Sequence, residues 1–148
     1  DKSQGRKETV LVVDLGDDRR FALPTSMVAR LEKIASAAVE HADGREVIQY
    51  RGAILPLVRL GEVFDAQSAK SNEAEMQVIV YDEKDRSFGL VVEHIVDITE
   101  AELKFQVERS ADDYLLGTTV VQQRVTDVLN LRNLAQFERA AARSLCRN

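Results

Sequence analysis

The stretch Val47-Ile48-Gln49-Tyr50-Arg51-Gly52-Ala53-Ile54-Leu55-Pro56-Leu57-Val58-Arg59-Leu60 decides how this chain folds. Two short apolar, β-branched runs flank Arg51-Gly52. Glycine takes positive φ without a Cβ clash, so the segment reads as strand, tight turn, strand. Successive strand side chains point to opposite faces. Ile54, Pro56 and Val58 therefore share one face, and Leu55 and Leu57 share the other. Both faces are apolar. One belongs in a barrel core, and the other must be covered by a second barrel or by a partner. Gly61-Glu62-Val63-Phe64 then reads as one helical turn.

Upstream, the Val-rich run Thr9 to Leu15, the turn Gly16-Asp17-Asp18 and the run Phe21-Ala22-Leu23-Pro24 read as a hairpin, and Val28 to Ile34 continues the theme. Downstream, Asp65 to Glu75 is a polar linker or exposed loop. Beyond it the pattern repeats. Thr9 to Leu23 aligns without a gap on Met76 to Leu90, matching Val13 with Val80, Asp18 with Asp85, Arg19 with Arg86, Phe21 with Phe88 and Leu23 with Leu90, an offset of 67. Leu55 to Leu60 matches Thr126 to Leu131 at an offset of 71. Two related β-units, each of about five short strands, follow from this order and spacing. A unit of about 60 residues buries little surface alone, so the two should pack together and share an apolar seam. The expectation is an all-β fold in a single domain over 1–148, with a first barrel over 9–66 and a second over 75–133. Leu131, Leu134, Phe137 or Glu138, Ala141 and Leu145 lie at helical spacing behind Asn130, a capping residue, which predicts a C-terminal amphipathic helix over 134–148.

Composition narrows the function. With 45% hydrophobic and 30% charged residues, the 148-residue chain is globular rather than disordered. Cys146 is alone, so no disulfide framework exists, and His41 and His94 have no Cys or His neighbours at metal-ligand spacing. A net charge of -5 argues against nucleic acid and anionic membranes, and no apolar run approaches the roughly 20 residues of a membrane span. The start at Asp1, without Met or signal peptide, reads as a piece of a longer protein, and the unpaired Cys favours the cytoplasm. No phosphate-cradling loop, nucleophile elbow or His-Glu-x-x-His motif is present, so no cofactor is expected. His94 lacks a nucleophile to serve, and His41 reads as a solvated turn residue. The carboxylate pairs Asp17-Asp18, Asp82-Glu83 and Asp112-Asp113 read as solvated turns. A small β-barrel hydrolase using one such pair is the alternative from a different class. A non-catalytic interaction module is the favoured reading.

Here the opening segment becomes specific. Gln49-Tyr50-Arg51-Gly52 followed by Pro56-Leu57-Val58-Arg59-Leu60 resembles the signature of the CheW-like family, in the version found in the C-terminal regulatory domain of CheA-type chemotaxis histidine kinases. Phe21-Ala22-Leu23-Pro24 with Val28-Ala29-Arg30-Leu31-Glu32, Phe88-Gly89-Leu90-Val91-Val92-Glu93 and Arg124-Val125-Thr126-Asp127-Val128-Leu129-Asn130-Leu131 fit the same pattern, so the resemblance runs from Thr9 to Leu134. Gln123 departs from it, standing where a turn glycine is expected by analogy with Gly52. The resemblance implies two tandem SH3-like five-stranded β-barrels packed together. It implies a regulatory scaffold, not an enzyme, that binds the coupling protein CheW and the cytoplasmic tips of chemoreceptors and works with other domains of a parent kinase. Such a module is cytoplasmic, associated with membrane-bound receptor arrays, and barrel ends of neighbouring molecules meet in a ring. A stand-alone or fused CheW-type adaptor is the runner-up.

The residues expected to touch partners are Arg30, Glu32, Tyr50, Arg51, Gly52, Leu55, Leu57, Ile95, Ile98 and Val120. Each also has a plainer reading. Arg51 is either a solvated turn residue or, as the resemblance implies, the partner of Glu32 beside the groove used for receptor contact. Tyr50, Leu55, Leu57 and Val58 could be core instead. Val120 and Val121 cannot both face one core in a regular strand.

Overall fold

The computed structural model describes residues 6–16, 18–64, 74–83, 86–105 and 114–135. Asp17, Asp85, the Asp112-Asp113 pair, Cys146 and the expected helix beyond residue 135 lie outside them. Among the described residues, eleven strands run in the order β1 (Arg6–Asp14), β2 (Arg20–Pro24), β3 (Arg30–Ala35), β4 (Glu40–Ala42), β5 (Arg45–Tyr50), β6 (Ala53–Arg59), β7 (Glu75–Asp82), β8 (Ser87–Val92), β9 (His94–Phe105), β10 (Leu115–Val121) and β11 (Arg124–Leu129). A single helical turn, α1 (Leu60–Val63), follows β6, and residues 131–135 are helical after β11. The chain is all-β with two SH3-like barrel units, as the resemblance implies, but only one of them has the expected five strands; the other has six because the short β4 adds to its edge.

Membership of the two units corrects the boundaries expected at 9–66 and 75–133. The first is a closed barrel, β1-β2-β11-β10-β9, and the second a six-stranded sheet, β3-β7-β8-β6-β5-β4. Each therefore combines a hairpin from one repeat with the later strands of the other. Two parallel pairings make the exchange: Ala22 on β2 lies opposite Val128 on β11, and Gly89 on β8 opposite Leu57 on β6. Ala22 and Gly89 are 67 residues apart, and Leu57 and Val128 are 71 apart, which are the two offsets of the repeat. Parallel neighbours need a long crossover, so they come from different parts of the chain. Local sequence forms the hairpins but does not choose which hairpin lies beside which.

The ungapped alignment also slips by one residue in its first strand. Val13 lies opposite Phe21, whereas the residue opposite Phe88 is Tyr81. Val13 thus corresponds to Tyr81 rather than Val80, because the first hairpin takes one more residue to turn.

The expected seam is the largest apolar cluster. Leu11, Val13, Phe21 and Leu23 of the closed barrel meet Val58, Ile79, Tyr81, Phe88 and Leu90 of the other sheet, with Leu60, Leu131 and Leu134 from the helical turns. Val10, Val12, Ala22 and Val128 fill the closed barrel, while Ile48, Leu55, Leu57, Val78 and Val80 fill the other unit. This explains why Val10 to Val13 is a continuous apolar run. Alternate side chains enter a barrel and the seam, so both faces are buried.

Candidate functional site

Three hairpins turn through two residues with positive φ: Asp43-Gly44, Arg51-Gly52 and Gln122-Gln123. Type I′ turns have this geometry and match the twist of paired strands. Gln123 keeps the turn type at φ 65°, in place of the glycine the sequence leads one to expect.

In the closed barrel, β9 and β10 are joined by a ladder at Gly117 opposite Phe105 and Thr118 opposite Lys104. The corresponding strands of the other unit, β3 and β5, are not neighbours in the sheet. Side chains bridge them instead. The Tyr50 hydroxyl accepts a hydrogen bond from Arg30 Nε at 2.7 Å and donates one to Glu32 Oε2. The guanidinium carbons of Arg30 and Arg51 lie 5.5 and 5.7 Å from the centroid of the Tyr50 ring, within cation–π range. Asp82 Oδ2 stands 3.8 Å from Arg30 Nη2. The bond to Tyr50, outweighing desolvation, holds the Arg30 guanidinium above its ordinary pKa.

This bridge corrects one expectation. Arg51 and Glu32 do not pair directly; Tyr50 stands between them, taking the acid with its hydroxyl and the cation with its ring.

A pocket of about 640 Å³ opens at the same end. Arg30, Arg45, Arg51 and Arg86 line it with the buried Leu55 and Val80, and Asp82 and Glu83 supply the carboxylates. Among the described residues, its lining holds no histidine or cysteine. Ser87 Oγ bonds Asp82 Oδ1, a serine–carboxylate pair without a base between them. No group of three potential metal ligands occurs among the described residues. Of the carboxylate pairs weighed as catalytic, only Asp82-Glu83 is fully described.

The closed barrel carries the equivalent positions. Leu31 and Ile98 pair with the corresponding residues Ile79 and Leu11, and both are exposed. Ile54 and Val125, 71 residues apart, are 67% and 78% exposed. Charge reverses at two of these positions: Asp97 occupies the place of Arg30, and Glu100 that of Lys33. Gln122, in the place of Arg51, donates to Asp97 Oδ2 at 3.3 Å and accepts from Arg20 Nη1 at 3.0 Å.

The expected contact residues therefore divide. Arg30, Glu32, Tyr50, Arg51 and Gly52 gather at the open barrel end, and Ile98 and Val120 are exposed on the closed barrel. Leu55 and Leu57 are buried inside the second unit, Leu55 against the pocket, and Ile95 is partly buried against the seam. Val121 points into the closed barrel while Val120 points out. Ile54, Leu31 and Val125 are the exposed apolar residues missing from the expected set. The alternation of β6 already separated Ile54 from Leu55, whereas Val125 had no such signal.

Comparison with known proteins agrees with this geometry. The model of the CheW-like domain matches residues 9–139. Chemotaxis protein CheA of Bacillus subtilis is 30% identical over 113 residues, covering 76% of this chain and 16% of that protein. CheA of Listeria monocytogenes is 32% identical over 87 residues, covering 59% of this chain and 14% of that one. The chain thus spans about a sixth or less of the curated relatives it matches. Among solved structures, the scaffolding protein TtCheW of Thermoanaerobacter tengcongensis superposes with a TM-score of 0.64 at 16% identity, covering 88% of this chain and 89% of that one. That likeness is one of fold.

Proposed function

The chain belongs to the CheW-like domain family, and from that premise we propose that it is the regulatory scaffold domain of a CheA-type chemotaxis kinase, without chemistry of its own. It binds the coupling protein CheW and chemoreceptor tips, and passes changes in those contacts to kinase domains elsewhere in a parent protein. The observation that carries this reading is the pair of equivalent barrel ends. Each presents exposed apolar residues at matching positions, Leu31 with Ile54 and Ile98 with Val125, while Arg30 and Lys33 give way to Asp97 and Glu100. Exposed apolar positions with opposed charge suit heterologous contacts, which close into rings. Arg30, Glu32, Tyr50, Arg51 and Gly52 would meet partners at one end, and Ile98 and Val120 at the other.

Size-exclusion chromatography of the chain with CheW and with a receptor-tip fragment tests this. Each should co-elute, and Ile54→Asp should weaken CheW binding by about tenfold or more without lowering the melting temperature. Failure of both partners to bind would overturn the reading. A second reading, a free CheW-type adaptor, has one observation in its favour: the chain covers 89% of TtCheW. An adaptor would prefer the regulatory domain of a CheA-type kinase over CheW in the same experiment. Its place in the cell, beside membrane-bound arrays, follows from either reading, and no helix among the described residues is long and apolar enough to cross a membrane.

A further inference from the structure

The open barrel end gathers basic side chains. A protein of net charge -5 here brings together four arginines from four different places: β3, the start of β5, the β5–β6 turn and the residue before β8. Asp82 and Glu83 oppose them in the lining, and Glu32 stands beside it, bonded to the Tyr50 hydroxyl. Asp82 is engaged by Ser87 and approached by Arg30. The lining thus carries four guanidinium groups against two carboxylates. The apolar part of the lining is Pro56 and the exposed Ile54, with the nearly fully buried Leu55 and Val80.

We propose that this mouth binds an acidic peptide segment, with a carboxylate side chain held among Arg51, Arg86 and Arg30 and a neighbouring aliphatic side chain laid on Ile54 and Pro56. Guanidinium groups match carboxylates in geometry and charge, which accounts for the rim. The apolar lining at Ile54 and Pro56 has no use for a free inorganic anion. A pocket of about 640 Å³ also exceeds what one phosphate fills, and is of a size with sites for organic groups. Asp82 and Glu83 further disfavour a multiply charged phosphate relative to a single carboxylate. Tyr50 fixes the site, because its hydroxyl is spent on Arg30 and Glu32 and its ring lies beside the Arg30 and Arg51 guanidiniums. The inference rests on reading this end as a partner surface and adds the chemistry of what it holds.

The test is an NMR titration of the ¹⁵N-labelled full chain with acetyl-Glu-Leu-Glu-amide, acetyl-Gln-Leu-Gln-amide and sodium pyrophosphate. The Glu peptide should shift the amides of 50–54 and 86–87 saturably. The Gln peptide should bind about tenfold more weakly, and raising salt from about 50 to 300 mM should weaken the Glu peptide several-fold. The double variant Arg51→Gln/Arg86→Gln should lose about tenfold in affinity while the rest of its spectrum stays in place. Should that variant disturb the fold, Arg51→Gln alone, on an exposed turn, is expected to lose about threefold. Equal affinity for the two peptides, no saturable shift at millimolar peptide, or binding of pyrophosphate alone would overturn the proposal. Loss of the peptide with CheW binding intact sinks this inference and leaves the scaffold reading standing; the reverse outcome sinks the scaffold reading instead.

Discussion

Gln123 shows what one residue carries. Its φ of 65° is open to glycine at no steric cost and unfavourable for a side chain bearing Cβ. Gln123→Gly should therefore stabilise the fold by about 0.5–1 kcal/mol in thermal or urea unfolding; a loss of stability would show that the glutamine makes a compensating contact. Gly52 is the mirror case. Nothing lies within 4 Å of a Cβ built there, so the cost of Gly52→Ala, about 1 kcal/mol, is purely one of backbone conformation at φ 79°. Glu46 sets an acid limit. Arg59 grips it through two hydrogen bonds, at 2.6 and 3.1 Å, and these outweigh desolvation to hold its pKa below the usual carboxylate value. A carboxyl depressed by folding stabilises above its unfolded pKa and ceases to as pH falls through the folded one. Glu46→Gln should cost under about 1 kcal/mol at pH 7, since Arg59 is 38% exposed, and should flatten the loss of stability below about pH 4.5. An unchanged acid slope would count against the pair. At this scale the Arg51-Gly52 turn was legible because glycine announces it. The Tyr50 bridge was not, since no sequence rule says which side chain spans two strands that lack a ladder.

Strands were read well from their runs, and the reason is burial on two faces. Phe88 to Val92 alternates between the seam, through Phe88, Leu90 and Val92, and the second barrel, through Gly89 and Val91. Leu90→Ala should cost about 2–5 kcal/mol through the cavity it leaves in the seam. Gly89 is tight for a different reason. A Cβ there would stand 2.7 Å from Val78 Cγ1 and 3.0 Å from Leu57 Cδ2, so Gly89→Ala should cost about 1–3 kcal/mol by overpacking. Chemical denaturation measures both, and a neutral Gly89→Ala would mean that β6 gives way. Ala22, its counterpart, occupies the same place in the closed barrel, where a methyl group fits. The one-residue slip in the first repeat escaped the sequence because an ungapped match scores Val on Val, while register is set by turn length.

For the whole molecule, the exchange of hairpins between repeats has a thermodynamic consequence. Neither repeat contains all the strands of a barrel, so the two units should unfold together in one transition despite looking like two domains. Hydrogen exchange should report the same global opening energy for Val12 and Val80, and Leu23→Ala in the seam should lower both equally. Two separable transitions would contradict this. The sequence by itself determined that strands and tight turns alternate, that the pattern occurs twice, that a seam must exist and that the Tyr50–Gly52 turn matters. Hydrophobic period and turn chemistry are local, so residues near in the chain suffice to write them. Only the tertiary structure decided which hairpin completes which barrel, that Tyr50 rather than Arg51 engages Glu32, and that Leu55 and Leu57 face inward while Ile54 stays exposed. Those outcomes depend on parallel pairing and on surfaces that exist only once distant segments meet, and no spacing along the chain encodes them.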